Sequence, residues 1–289
     1  MRANKSFYTK VVNLMKEIIM KNKRLNGMAM ALLLLLLMTL LLFLFRSAAY
    51  AQGDVYWNID PNVETCSMVI DPSLTQDQWN RFTKQIGAIL SFKSLASAET
   101  LGKMNFYIGI DDSYTPVNQH DPAWINTFTH PDEDCPLGDA ISYPTIRARM
   151  GVSDNIDVGA YWTTAPHSNY GGVGLELKYA FQKEPEKHLA AAVRASASIL
   201  TGVPDFDVNV YSLEIITSKK IAMVTPYVGF RESLSVGTVT TSKVNLHKEN
   251  VFIPQGYLGV SYSIWRLNLA AEYNISYVNT FALAIGCNF

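Results

Sequence analysis

Nine charged residues offer the densest chemistry in this chain: Arg147, Arg149, Asp157, Glu176, Lys178, Arg194, Glu214, Arg231 and Glu272. Each stands at an alternate position within an otherwise apolar or small-residue run. Five are positive and four negative, which suits either a selectivity lining for ions or a set of ion pairs that close the space they face. Catalysis has weaker candidates. His167-Ser168 pairs a base with a hydroxyl, but neighbours on an extended chain face opposite ways and do not by themselves make a nucleophile and its base. His130-Pro-Asp-Glu-Asp-Cys135 offers imidazole, carboxylate and thiol to a divalent metal, yet no second cluster matches it. Gly-rich phosphate loops and paired Cys-x-x-Cys motifs are absent. No catalytic residue, metal ligand or cofactor is assigned, and no enzyme is expected.

The elements that must position the nine are strands. From Leu101 onward apolar alternation recurs at spacings of about ten residues, broken by turn residues. Ten strands are expected, at 103–112, 141–151, 155–163, 171–182, 188–199, 207–218, 221–232, 251–263, 265–275 and 278–289. The last is the clearest, with Phe281, Leu283, Ile285, Cys287 and Phe289 on one face and Ala282, Ala284, Gly286 and Asn288 on the other. Connections after even-numbered strands tend to be short, as in Val152-Ser153-Asp154, Lys183 to Lys187, Lys219-Lys220 and Ile264. Those after odd-numbered strands tend to be longer, as in 113–140 and 233–250, the rhythm of an even-stranded barrel with both ends on the periplasmic side.

Alternation alone does not say which face meets the core, and the opposite face decides. It consists of small residues with isolated charges, which suits a cramped interior, whereas the outside of a soluble barrel is denser in Lys and Glu. Trp162, Tyr179, Tyr211, Tyr262 and Tyr273 fall on or near strand ends, as interfacial girdles do. The expectation is an apolar face turned to lipid. Its alternative is a periplasmic β-barrel, soluble or anchored in the inner membrane, that binds a small apolar ligand.

Ahead of the strands, Thr75 and Gln78 fit a capping box, and Trp79, Phe82, Ile86 and Ile89 make one apolar helical stripe. Two basic residues, Arg81 and Lys84, are too few for a membrane-surface helix. Packing at the periplasmic end or partly within the barrel is expected. Residues 52–72 read as a periplasmic lead-in, so that 52–100 precede a barrel at 101–289.

The first 51 residues read as a signal peptide. Met28 to Phe45 is an uncharged, nearly wholly apolar run after Lys21, Lys23 and Arg24, and Ala49-Tyr50-Ala51 places cleavage before Gln52. The n-region is long, and translation from Met20 would make it ordinary. An uncleaved anchor is the competing reading, since 18 apolar residues nearly span a bilayer. The leader holds eight of the 24 Lys and Arg and one acid, so the remainder carries 16 basic and 24 acidic groups, a net charge of −8. No nucleic-acid surface is expected of that charge. Cys66 and Cys135 could pair in an oxidising compartment, although the odd cysteine count leaves this open.

Leu74-Thr-Gln-x-x-Trp79, Ile86-Gly-Ala-Ile-Leu-Ser-Phe-Lys-Ser-Leu-Ala96, Asn155-Ile-Asp-Val-Gly-Ala-Tyr161 and Gly174-Leu-Glu-Leu-Lys-Tyr-Ala180 resemble a group of uncharacterised Gram-negative outer-membrane β-barrel proteins. The closing strand likewise resembles that of such barrels, which usually end on Phe. The resemblance covers most of 74–289 and implies a helix before a single barrel in contact with outer-membrane lipid. It also implies recognition by barrel-assembly machinery through the strand ending at Phe289. No activity carries over. The expected fold is therefore all-β, an antiparallel transmembrane barrel of about ten strands with an N-terminal amphipathic helix. Its expected role is a narrow pore or a structural or surface protein, with a lipid-modifying enzyme as a lesser alternative.

Overall fold

The structure, a computed structural model, describes residues 67–129, 140–164, 169–184 and 189–289. The expectations for the leader, Cys66, the 130–135 stretch and His167-Ser168 lie outside these residues. In chain order the elements are β1 (Ser67–Met68), α1 (Gln76–Leu90), β2 (Phe106–Pro116), α2 (Pro122–Ile125), β3 (Phe128–Thr129), β4 (Ala140–Ser142) and β5 (Thr145–Gly151). They continue with β6 (Ile156–Thr164), β7 (Gly171–Glu184), β8 (Leu189–Thr201), β9 (Phe206–Lys219), β10 (Val224–Val239), β11 (Glu249–Ile264), β12 (Leu267–Ile275) and β13 (Thr280–Asn288).

Strands β2 and β5 to β13 pair antiparallel, each with the next, and β13 closes on β2 from Phe281 opposite Tyr114 to Asn288 opposite Tyr107. Strand β4 extends the line of β5 along the far half of β2, so the wall has ten positions. Closure leaves no unpaired sheet edge, the condition a β-structure must meet in hydrocarbon.

The faces are as the alternation requires. Tyr211, Leu213 and Ile215 on β9, and Phe281, Leu283 and Ile285 on β13, are exposed on the outside. Ser212, Glu214, Ala282 and Ala284 between them are buried inside. The five girdle aromatics Trp162, Tyr179, Tyr211, Tyr262 and Tyr273 all face outward. An apolar band of this extent on the outside, with charge inside, is the inverse of a soluble barrel and excludes that alternative.

The rims are unequal. One carries the two ends of the sheet and the short connections 152–155, 220–223 and 265–266. The other carries 117–129, 169–170, 202–205, 240–248 and 276–279. Outer-membrane barrels keep short turns on the periplasmic side and longer loops outside the cell, so these are called the inner and outer rims.

Several boundaries differ from the sequence expectation. Strand β2 starts at Phe106 rather than 103, because Gly102 and Met104 take positive φ in a turn where the Met104 N–H donates to the Gly151 carbonyl at 2.8 Å. It then runs on through Asp111 and Asp112 to Pro116. The second wall position, expected unbroken over 141–151, is interrupted at Tyr143-Pro144, since proline has no N–H to give the ladder. Strand β10 starts after a turn in which Ala222 has φ 55° and reaches Val239, seven residues beyond the expected end. Its added length is walled with Ser233, Ser235 and Gly237, small residues whose reason is what they face.

They face α1. The capping box is formed: the Thr75 side chain accepts from the Gln78 N–H, and the Gln78 side chain accepts from the Thr75 N–H at 3.0 Å. Trp79, Phe82, Ile86 and Ile89 are all buried, each contributing about 1.5–3 kcal/mol on burial. Phe82 meets Phe206 and Trp124 edge-on at 5.4 and 5.1 Å between ring centroids. The helix therefore lies inside the barrel, and residues 67–73, expected as the end of a periplasmic lead-in, lie at the outer rim. Removing the cap with Thr75→Ala is expected to cost about 1 kcal/mol. Equilibrium unfolding in denaturant, followed by tryptophan fluorescence in detergent, measures it.

Candidate functional site in the lumen

All nine charged residues singled out from the sequence point inward and are buried. Cross-strand register sets Asp157 opposite Lys178, Lys178 opposite Arg194, Arg194 opposite Glu214, and Glu214 opposite Arg231. The side chains close into a belt. Glu176 accepts from Arg149 at 2.7 Å and from Arg194 at 2.8 Å. Glu214 accepts from Arg194 at 2.7 Å and from the Arg231 Nε at 2.9 Å. Lys178 meets Asp157 at 3.0 Å.

Strand β2 adds a member the sequence reading did not name. Asp111 takes a two-pronged contact from Arg147, at 2.9 and 3.0 Å. Its parity on β2, shared with Tyr107 and Gly109, was the available signal. Counting Asp111, the carboxylates of the belt equal its cations.

The belt is not empty. After α1 the chain passes through it from Ser91 to Leu101 without regular secondary structure, and its backbone is held by the same charged residues. Arg147 donates to the Lys93 carbonyl at 2.7 Å and Arg149 to the Ser94 carbonyl at 2.6 Å. Glu272 accepts from the N–H groups of Ser94 and Leu95 at 3.3 and 2.8 Å. Leu95 itself has φ 44°, a left-handed conformation tolerated where both sides hold it. Lys178 donates to the Glu99 carbonyl at 2.6 Å, and Asp157 accepts from the Leu101 N–H at 3.1 Å. The Phe92 ring lies between two guanidinium carbons, 4.6 Å from Arg147 and 5.4 Å from Arg194.

One cation more enters with the plug. Lys93 is buried and makes no ion pair among the described residues; its ammonium donates to the carbonyls of Ala88 at 2.7 Å, Ile89 at 3.2 Å and Ser91 at 3.0 Å. These are the unpaired carbonyls at the negative end of α1. The helix terminus thus takes the part of the missing anion.

Glycine makes room for the helix. A Cβ on Gly87 would collide with the Ser235 side chain and stand 2.7 Å from the Ile253 Cδ1, and one on Gly237 would stand 2.6 Å from the Thr83 Oγ1. Gln255, whose amide oxygen accepts from the Ser91 hydroxyl at 2.8 Å and from Arg231 at 3.2 Å, joins helix end to belt.

At the outer rim the same chain bridges four connections. The Val69 N–H donates to the Thr127 carbonyl at 3.0 Å, and Met68 exchanges two bonds with the Asn169 side chain. The Ile70 N–H donates to Asp205 at 2.9 Å, and Asp205 in turn pairs with Lys243 at 2.8 Å. Ser73 donates its side chain and its N–H to Asp71, which holds that carboxyl below its ordinary range.

Helix and belt together occupy the described lumen, where Trp79, Phe82, Arg147 and Arg231 are buried. This is a transmembrane barrel with its own N-terminal segment inside it. No protein-family model matches the sequence, and no curated protein matches it. Among solved structures the plugged barrel is similar to the COG4313 outer membrane channel from Pseudomonas putida F1, with 9% identity and a TM-score of 0.43 over 68% of this chain and 100% of that one. It is also similar to Ail, the attachment invasion locus protein of Yersinia pestis, with 10% identity and a TM-score of 0.30 over 65% and 99%. A third is Neisserial surface protein A, with 15% identity and a TM-score of 0.26 over 63% and 95%. The outer-membrane character of the plugged barrel is carried by its outward apolar wall, its closure and its unequal rims.

The belt's energetics are testable. Glu214→Ala leaves Arg194 and Arg231 facing one another in the lumen, and removing one member of such a buried set is expected to cost about 3–5 kcal/mol. The exposed Asp77–Arg81 pair on α1, at 2.9 Å, is the control, and Asp77→Ala is expected to cost less than about 0.5 kcal/mol. Denaturant midpoints of the two variants in one detergent compare them.

Proposed function

We propose that this outer-membrane barrel is closed at rest and acts as a structural or surface protein, not as a passive diffusion pore. The observation that supports this most is the plug's backbone lying in the bonds of Arg147, Arg149, Lys178 and Glu272. Side chains that would line a pore instead satisfy a second strand of chain, and each would be left bare in a narrow cavity if that strand withdrew. Ten strands enclose little more than the eight whose side chains already fill a barrel. The partners in this reading are outer-membrane lipid along the apolar wall, and the assembly machinery at the strand that ends with Phe289. The reading includes no catalytic step, cofactor or nucleic acid.

A narrow channel would require the plug to move, and Gly87 gives the handle. In planar lipid bilayers the purified protein is expected to be electrically silent. Gly87→Trp, whose ring has no room against Ser235 and Ile253, is expected to unseat α1 and produce stepwise conductance while the wall keeps its heat-dependent gel mobility. Stepwise conductance from the unaltered protein would contradict the closed reading. Silence of a folded Gly87→Trp barrel would show that the belt alone closes the lumen.

A further inference from the structure

The direction in which the plug runs has a consequence for whatever precedes it. Ser67 to Asp71 are pinned at the outer rim, to Asn126 and Thr127 in one connection and to Asn169 and Asp205 in two others. The N-terminal turn of α1 is tied there as well, where Gln76 and the 247 backbone exchange bonds at 2.8 and 3.2 Å and Asn80 donates to Glu249 at 2.6 Å. From that rim the chain runs inward. Leu90 and Ser91 reach the belt, Thr100 donates to the Asp154 carbonyl at 2.6 Å in an inner-rim turn, and Phe106 exchanges backbone bonds with Phe289 where the sheet begins and ends.

We infer that the chain enters its own barrel from outside the cell, so that the residues preceding Ser67 are presented at the cell surface. Two routes could return them to the periplasm, and both are closed. The lumen is occupied, since Trp79, Phe82, Arg147 and Arg231 are essentially without exposed surface and leave no room for a second passage of chain. The outside of the wall faces hydrocarbon, where an extended strand without a partner would lose every backbone hydrogen bond. Residues 52–66 suit water, with Asp54, Asp60 and Glu64 and no Lys or Arg. This inference departs from the sequence expectation of a periplasmic lead-in over 52–72. A leader still anchored in the inner membrane is incompatible with this path, so cleavage must come before the barrel closes.

Cys66 provides the test, because it adjoins Ser67 and the leader has no cysteine. In a chain carrying Cys135→Ser and Cys287→Ser, a membrane-impermeant maleimide is expected to label Cys66 on intact cells to the same extent as after outer-membrane permeabilisation. Retained heat-dependent mobility verifies the fold. Labelling that appears only after permeabilisation overturns the inference. An epitope tag inserted between Gly53 and Asp54 of the unaltered chain, compared with the same tag in the 240–248 connection, decides the matter without relying on thiol reactivity. Antibody binding at both sites on intact cells supports the inference. Binding at the loop tag alone overturns it, and binding at neither overturns the rim assignment and the inference with it.

Discussion

Charge taken out of water is the constraint on which this structure depends. A ten-stranded wall leaves too little room to hydrate the guanidinium and carboxylate groups within it, and each must find a partner at short range. Strand register supplies the first partners, as Arg194 between Glu176 and Glu214 shows. It does not supply enough, because guanidinium groups have more donors than the carboxylates alone satisfy. The carbonyls of Lys93, Ser94 and Glu99 take further donors, and the N–H groups of Ser94, Leu95 and Leu101 meet further carboxylate oxygens. Wall and plug complete one another's bonding.

The rest of the lumen follows from that fit. Where the irregular segment crosses, the wall presents small residues such as Ala270, Ala282 and Ala284, against which Leu95 packs. Where the helix lies, β10 presents Ser233, Ser235 and Gly237, and Ser235 donates its hydroxyl to the Thr83 carbonyl at 3.0 Å. Nearer the mouth Trp79, Phe82 and Phe206 make an aromatic core under the outer loops, with α2 contributing Trp124. A polar belt below and an apolar core above fix both the depth and the rotation of the plug. Lys93 joins the two halves, since it satisfies the end of the helix while standing among the cations of the belt.

Much of this was legible in the sequence because strand parity is a rigid rule. Once the apolar face was assigned to lipid, the inward direction of Arg147, Arg194, Glu214 and the others followed, as did the cap and stripe of α1. What stayed hidden was long-range. The extent of β10 past Glu232 depends on Ser233, Ser235 and Gly237, which read as loop until a helix is placed against them. Asp111 lies next to Asp112, which faces outward and accepts from the Ser142 hydroxyl at 2.9 Å and the Tyr143 N–H at 3.0 Å, and only strand parity tells which of the two adjacent acids enters the lumen. The plug's passage through the belt had no sequence signal, because Ser91 to Leu101 has neither helical nor strand periodicity and its bonds to the wall are to residues far along the chain.

Hydrogen exchange of that segment tests the central claim most directly. The N–H groups of Ser94, Leu95, Ala98 and Leu101 are bonded to Glu272, Ser218 and Asp157 on the wall and to no regular secondary structure. In the folded protein in detergent they are predicted to exchange as slowly as amides of β9 and β10. Exchange at the rate of an unstructured peptide, with the wall still protected, would mean that the segment is not threaded through the belt and that the lumen is held closed in some other way.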